Sequence, residues 1–389
     1  MIFLSLTLVI PLYSFSGGTG SSGTPYIIST CVELENISFS DSNLNSNYIL
    51  NNNLDCSSIL NFKPIGGGPC DGECNLFGGS IDKPFIGDFN GNNLEISNIE
   101  IFNYTTTDDG WGLFGYIVSP GHIYNLSLKY VNVNISDGNS VGGLVGNNKG
   151  SISNTMTISN ILGESIVGGL VGNNYGNISN SYSISTVSGN SFVGGLVGSN
   201  TYGNILNSYS ISTVFGDTEL GGLVGDTYQG DISNSYSVSD ITGTGLIGGL
   251  VGFNAGDISN SYSISNISGT ITLGGLIGYQ YSGVITNSYW LNTSNNLNVS
   301  IGDFIGGSLD IYTSTNLNYF YDTLNSPIDL WDTSIWNFTG TGLAGHVWDV
   351  PVTPPSTPTP SSGVSVSGLP SFGVSSVFVV FGLILIFLF

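Results

Sequence analysis

Apolar and polar residues alternate in short runs along most of this chain, and the runs return at a nearly fixed interval. In Asp231 to Ile241 the order D-I-S-N-S-Y-S-V-S-D-I sets Ile232, Asn234, Tyr236 and Val238 against Ser233, Ser235, Ser237 and Ser239. A period of two marks a β-strand, with one face apolar apart from the asparagine and the other face serine. Helix is disfavoured throughout. Glycine, serine, asparagine and β-branched residues fill every repeat, and no 3.6-residue stripe appears. The segment Val141 to Gly146 reads V-G-G-L-V-G and returns at Val167, Val193, Leu220, Ile247 and Leu273. Leu144, Leu170, Leu196, Leu223, Leu250 and Leu276 therefore recur at steps of 26, 26, 27, 27 and 26 residues. Gly112 to Gly115 is a weaker forerunner and Phe304 to Gly307 a decayed copy. About ten residues after each leucine comes a second element, Asn154-Thr155-Met156 and then N-S-Y at Asn180, Asn207, Asn234, Asn260 and Asn287.

A repeat of this length, with two or three short strands between glycine or asparagine turns, cannot bury a core alone, so stacking must supply it. The expected fold is an all-β solenoid with one coil per repeat of 26–27 residues. Equivalent positions then lie about 4.8 Å apart, leucine on leucine and tyrosine on tyrosine. Asn180, Asn207, Asn234, Asn260 and Asn287 are expected to form a ladder of amides, each bonding the adjacent coil. The paired glycines before each leucine remove Cβ where the chain turns or packs closely. Propeller blades need about 40 residues or more, and collagen needs glycine at every third position, so both are excluded.

The G-G-L-V-G element followed by N-S-Y at this interval resembles the GLUG-motif family of secreted and surface proteins, with six good copies. Similarity extends to Tyr48-Ile49-Leu50 through Asp55-Cys56, to Pro64-Ile65-Gly66, and to Phe85 to Asn92 with Ile96 to Ile99. It reaches Tyr319 to Pro351 more loosely, so that roughly residues 27 to 351 are covered. The resemblance implies a right-handed parallel β-helix at a cell surface, often a repeat region of adhesin-like proteins, with no fixed catalytic residues. Related repeats accompany bacterial surface peptidases, but no H-E-x-x-H sequence is present here.

The pattern changes at both ends. Residues 1–16 are almost wholly apolar and precede the small polar run Gly17 to Gly23, as in a signal peptide cleaved near Ser16, although no basic residue leads it. Residues 24–110 are expected to form an N-terminal cap and first coils, 111–310 the repeats, and 311–350 a C-terminal aromatic cap. In that cap Tyr319, Phe320, Tyr321, Trp331, Trp336, Phe338 and Trp348 would cover the last coil, or stack on sugars. Residues 351–371 are proline-, threonine- and serine-rich, a stalk. Residues 372–389 are apolar except for Ser375 and Ser376, and are read as a membrane anchor. Two forms are open: a glycolipid attached at Ser361, Ser362 or Gly363, or a transmembrane tail.

Charge narrows the functional classes. The chain has four Lys and Arg residues together, all of them lysine, against 26 acidic residues, a formal net charge of −22. Such a surface repels nucleic acid and has no arginine clamp or P-loop lysine for phosphoryl transfer. An acidic, hydroxyl-rich surface suits a soluble extracellular face. Cys31, Cys56, Cys70 and Cys74 are read as two disulfides, Cys70 with Cys74 and Cys31 with Cys56. The rival is a zinc site, which here would have one close cysteine pair and no histidine nearby.

The remaining chemistry rests on carboxylates. Asp108 with Asp109 and Asp217 with Glu219 are the nearest acidic pairs, in turns where acids are usually solvated. Asp226, Asp231, Asp240 and Asp257 could meet across coils around calcium, although Asp231 and Asp257 stand where earlier coils have Asn177 and Asn204. Glycosylation sequons begin at Asn36, Asn103, Asn125, Asn134, Asn177, Asn266, Asn292, Asn298 and Asn337. The sequence thus predicts a secreted, surface-anchored, monomeric solenoid without enzymatic activity or cofactor. Its expected partners are the membrane and, beyond it, surface glycans or other surface proteins. The alternative is a carbohydrate-active hydrolase on the same scaffold.

Overall fold

The computed structural model describes residues 14–67, 83–102, 109–292, 297, 299–315, 319, 325–338 and 344–347. They are nearly all β, with parallel strands stacked into a solenoid of about seven turns. One coil consists of Ser165–Gly168, Val171–Asn174, Asn177–Ser179 and Tyr182–Ser188. Each segment pairs in register with its counterpart one repeat on: Val167 with Val193, Val171 with Val197, Ile178 with Ile205, and Tyr182 with Tyr209. Length differences fall in turns, where Thr201-Tyr202-Gly203 replaces Tyr175-Gly176 without disturbing the flanking register.

The repeated leucines Leu144, Leu170, Leu196, Leu223, Leu250 and Leu276 are fully buried in the coil interior, with valine and isoleucine ladders beside them. Each such side chain contributes about 1.5–3 kcal/mol relative to exposure. The glycines are required by close approach. A Cβ on Gly168 would lie 2.0 Å from the Val171 carbonyl oxygen, and one on Gly169 would lie 2.2 Å from that of Gly195.

The simple alternation expected of Ile232 to Val238 is overturned. Asn234 has φ +48°, and Asn154, Asn180, Asn207, Asn260 and Asn287 share this left-handed conformation. Asparagine adopts it more readily than other residues with a Cβ. One left-handed residue reverses which side chains face inward. Ile232 and Ile241 point into the core, whereas Tyr236 and Val238 belong to a second apolar cluster outside the coil. The serines take the interior. Ser181, Ser183, Ser208, Ser210, Ser235, Ser237, Ser261 and Ser263 are fully buried. Their hydroxyls satisfy backbone carbonyls that would otherwise be buried without partners: Ser185 donates to Gly195 O at 3.1 Å and Ser237 to Gly249 O at 2.6 Å. In the last of these coils Trp290 occupies the position of Ser263, and its ring lies where a Cβ on Gly275 would be. The interior is thus filled at that end by an indole buried in the main core.

At the other end, the short helix Cys31–Glu35 begins with a capping box: Thr30 Oγ1 accepts from Glu33 N, and Glu33 accepts from Thr30 N. Leu34, Ile37, Leu44 and Phe62 close the first coil's core. A Cys31–Cys56 disulfide ties this helix to the loop after Leu54–Asp55. Cys70 and Cys74 lie outside the described residues. Residues 1–13 lie outside them as well. Phe15 packs on Tyr26 and Tyr48, and Ser16 donates to Glu33, so the folded part begins ahead of the cleavage point expected near Ser16.

The described C-terminal aromatics lie along the side of the solenoid, which differs from the expected cover over the last coil. Tyr319 stacks on Tyr289, Trp331 on Tyr262, Trp336 packs against Tyr262 and Tyr236, and His346 against Tyr236 and Tyr209. This strap runs back across four coils. The outward-facing tyrosines, placed outside by the asparagine reversal, are the apolar surface it covers.

Candidate functional site

The repeats build two amide ladders, one toward the surface and one buried. The N-S-Y asparagines bond between coils in two runs rather than in the single ladder expected: Asn180 Nδ2 donates to Asn154 Oδ1 at 3.2 Å and Asn207 to Asn180 at 3.1 Å, then Asn260 to Asn234 at 3.2 Å, with Asn207 Oδ1 buried and unbonded at the break. Asn154 continues the row onto Asn125. The Asn287 backbone carbonyl accepts from Trp331 Nε1 at 2.9 Å, joining this row to the strap. A second, fully buried ladder went unnoticed at the sequence level. Asn148 donates to Asn174 at 2.7 Å and Asn174 to Asn200 at 2.8 Å; Thr227 interrupts the row, and Asn254 resumes it onto Gln280 at 2.9 Å. Its signal was legible as the amide four residues after the repeated leucine.

Aromatic rows form two contrasting surfaces. Under the strap, Tyr182, Tyr209, Tyr236 and Tyr262 stack with centroids 4.6, 4.7 and 4.8 Å apart and planes within 4°. At another corner Tyr175, Tyr202 and Tyr228 follow one another at 6.2 and 6.1 Å, with planes tilted by 34° and 75°. Tyr202 is 56% and Tyr228 46% exposed. On the next coil Phe253, the register partner of Asp226, packs on Tyr279 and on Tyr281 of the coil after it at 5.5 and 5.9 Å. A polar network runs beside these rings. Asn173 donates to the Tyr175 hydroxyl at 3.3 Å, Thr201 to Asn173 Oδ1 at 3.1 Å, and Ser199 to Asp226 at 3.0 Å. Lys149 lies over the Tyr175 ring, 5.1 Å from its centroid.

The acidic residues are rearranged relative to expectation. Glu219 feels the charge of Asp226 rather than that of Asp217. Burial and the Asp226 charge push the Glu219 pKa up to about 7, and burial pushes Asp226 up to about 6 against the Ser199 hydrogen bond. Neither has a cationic partner among the described ion pairs, which join Lys83 to Asp41 and Lys129 to Glu95. Asp108 lies outside the described residues, as does the side chain of Asp109. The four acids weighed for calcium do not converge: Asp257 accepts from Val284 N at 2.7 Å, Asp240 from Asn266 at 2.8 Å, and Asp231 is contacted by Asp257 N at 3.4 Å. Among the described residues no three His, Cys, Asp or Glu side chains group as metal ligands would.

Of the sequons, Asn134, Asn177 and Asn266 present exposed asparagines, and Asn125, Asn292 and Asn337 are partly covered. Asn36 is a correction. Its side chain is 8% exposed in a short 3-10 helix, packed where a glycan has no room. Asn103, Asn298, Ser361, Ser362, Gly363, Phe320, Tyr321 and Trp348 lie outside the described residues. Among the described residues no helix is long and apolar enough to cross a membrane; the 351–371 and 372–389 segments are not among them.

No family model matches the chain. Part of it is similar to halomucin of Haloquadratum walsbyi, with 30% identity over 145 residues, 37% of this chain and 2% of that protein. Part is similar to a candidate Gly-rich membrane protein of Evansella cellulosilytica, 33% identical over 149 residues, 36% of this chain and 15% of that protein. The chain therefore matches only small fractions of these much longer relatives. Among solved structures it is similar to a candidate immunoglobulin A1 protease of Bacteroides ovatus. The match has a TM-score of 0.53 and 20% identity, covering 86% of this chain and 96% of that one. That likeness concerns the fold.

Proposed function

We propose that the chain is a non-enzymatic surface solenoid of adhesin-like or structural role, in keeping with the GLUG-type repeats, displayed outside the cell and held there through residues 372–389. The observation that carries this reading is the architecture itself. Its interior is packed with leucine, valine and hydrogen-bonded serine, and its repeats are spent on long, regular outward faces. The names halomucin and Gly-rich membrane protein among the relatives agree with a surface or membrane setting. A Cys31–Cys56 disulfide fits an oxidising compartment.

The test is surface labelling of intact cells expressing the full chain, beside a variant ending at Val350. The full chain should be labelled and stay with the cells, and the shortened one should appear in the medium. Retention of both inside the cell would overturn the reading. Mass spectrometry of the mature C-terminus separates the two anchors, a glycolipid on Ser361, Ser362 or Gly363 against an intact Phe389. Among the described residues the Glu219 and Asp226 pair gives the hydrolase alternative a foothold, because raised carboxyl pKa values suit general acid catalysis. Sugar release from a polysaccharide panel, abolished by Glu219→Gln, would establish it and displace the non-enzymatic reading.

A further inference from the structure

The strap and the exposed tyrosine corner differ in one decisive respect. The row ending at Tyr289 is covered by this chain's own tryptophans, whereas Tyr202, Tyr228 and Tyr281 are 56%, 46% and 52% exposed with no described segment over them. Exposed large rings stand at the equivalent corners of three coils, beside the half-buried Tyr175 and with Ala255 in the corner between Tyr228 and Tyr281, unlike scattered surface aromatics. From Tyr175 to Tyr281 the row spans four coil steps, about 19 Å. The corner is amphipathic along its length, with ring faces beside amide and hydroxyl groups already aligned by the Asn173, Thr201 and Ser199 hydrogen bonds.

We propose that this corner binds a neutral glycan chain laid along the solenoid axis. Sugar rings present polarised C–H groups on one face and hydroxyls at their rim. Tyrosine faces carry the complementary negative quadrupole, and the flanking side chains supply hydrogen-bond partners for the rim. Charge chooses the class of sugar. Asp226 joins the polar network beside the row through Ser199, Asp231 and Asp257 stand exposed just after the same turns, and the whole chain is at −22. Lys149, at one end, is the single cation on the row among the described residues. Uronates, sulfated glycans and anionic lipid are repelled by such a surface. A row of exposed rings, tilted rather than locked face to face, accepts a run of sugars rather than one buried residue. The inference gives the surface solenoid a ligand class and rests on that reading for its biological setting only, since binding is measured on purified protein.

The experiment is isothermal titration of the purified full chain with neutral hexasaccharides of glucose, mannose, xylose and N-acetylglucosamine, and with oligogalacturonate as the acidic arm. At least one neutral hexasaccharide should bind, oligogalacturonate should not, and Tyr202→Ala with Tyr228→Ala should weaken binding about tenfold or more. Phe215→Ala, an exposed ring on another face, should leave it unchanged. Circular dichroism of both variants should match the parent, because Tyr202 and Tyr228 carry little of the core. No neutral binding, equal binding of the acidic oligomer, or unchanged binding in the double variant would each overturn the proposal. If labelling finds the protein inside the cell while the sugar still binds, the surface reading fails and the ligand assignment stands.

Discussion

The two tyrosine rows come from the same repeat and differ in almost every physical respect. Tyr209, Tyr236 and Tyr262 stand on strands, so strict parallel register forces their rings into near-parallel stacks at the coil rise. Tyr175, Tyr202 and Tyr228 stand on turns, where one-residue insertions alter the local path and the rings tilt. The first row exposes a continuous apolar strip, which the chain covers with Trp331, Trp336 and Ala344. The second is interrupted and flanked by polar groups, and it remains open. Residue type alone therefore says little about role in a solenoid; the backbone that carries the residue decides.

Disturbing each surface separately tests this contrast. The interior sets the upper limit: Leu196→Ala, with neighbours above and below that cannot collapse into the gap, should cost about 2–5 kcal/mol in a denaturant melt. Trp336→Ala removes the strap's central ring and should cost about 3 kcal/mol of strap docking. Limited proteolysis would show it as faster cleavage near residues 325–347, while the core melts close to its parental midpoint. Asn260→Ala puts an ordinary residue at φ +48° and breaks the amide bond to Asn234. A loss of about 1–2 kcal/mol is expected, and Asn260→Gly should recover most of it.

The pH response should separate the same regions. Burial lowers the His346 pKa to about 4 from the ordinary 6.5, despite its hydrogen bond to Asn234 O. Strap stability from this neutral imidazole is complete above the unfolded value and is lost as pH falls through the folded one. Tryptophan emission should therefore red-shift between pH 6.5 and 4, and His346→Phe should suppress the shift. Glu219 has the opposite sign. Its raised pKa favours folding at low pH and loses that advantage as pH rises through about 7, so Glu219→Gln should raise the melting temperature at pH 8 and change it little at pH 4.5. The smallest effect belongs to the open row, where Tyr202→Ala should move stability by no more than about 0.5 kcal/mol.

Much of the fold was legible. The leucine spacing gave the coil length, the N-S-Y element located the amide ladder, and Cys31 with Cys56 was paired as expected. The candidate site was legible only in pieces. Glu219 was noticed, but its partner was sought at Asp217, two residues away, because a linear reading cannot see that Asp226 returns beside it around the bend. The tyrosine corner was missed because its row is irregular in sequence: Tyr175, Tyr228 and Tyr281 share one offset from the repeated leucine, Tyr202 is displaced by an inserted residue, and Ala255 stands where a ring would continue the row.

By itself the sequence determined what a period can determine: strands, coil length, which residues stack on which, and the acidic surface that excludes polyanions. Only the tertiary structure decided direction. Left-handed asparagines turn the serines inward and the tyrosines outward, and this sign is a backbone angle that a period of two does not encode. The outward strip then recruits the C-terminal aromatics from far along the sequence, His346 bonding Asn234 112 residues away. Buried polar groups and exposed apolar ones are both costly, and each finds its partner only once the coils are stacked.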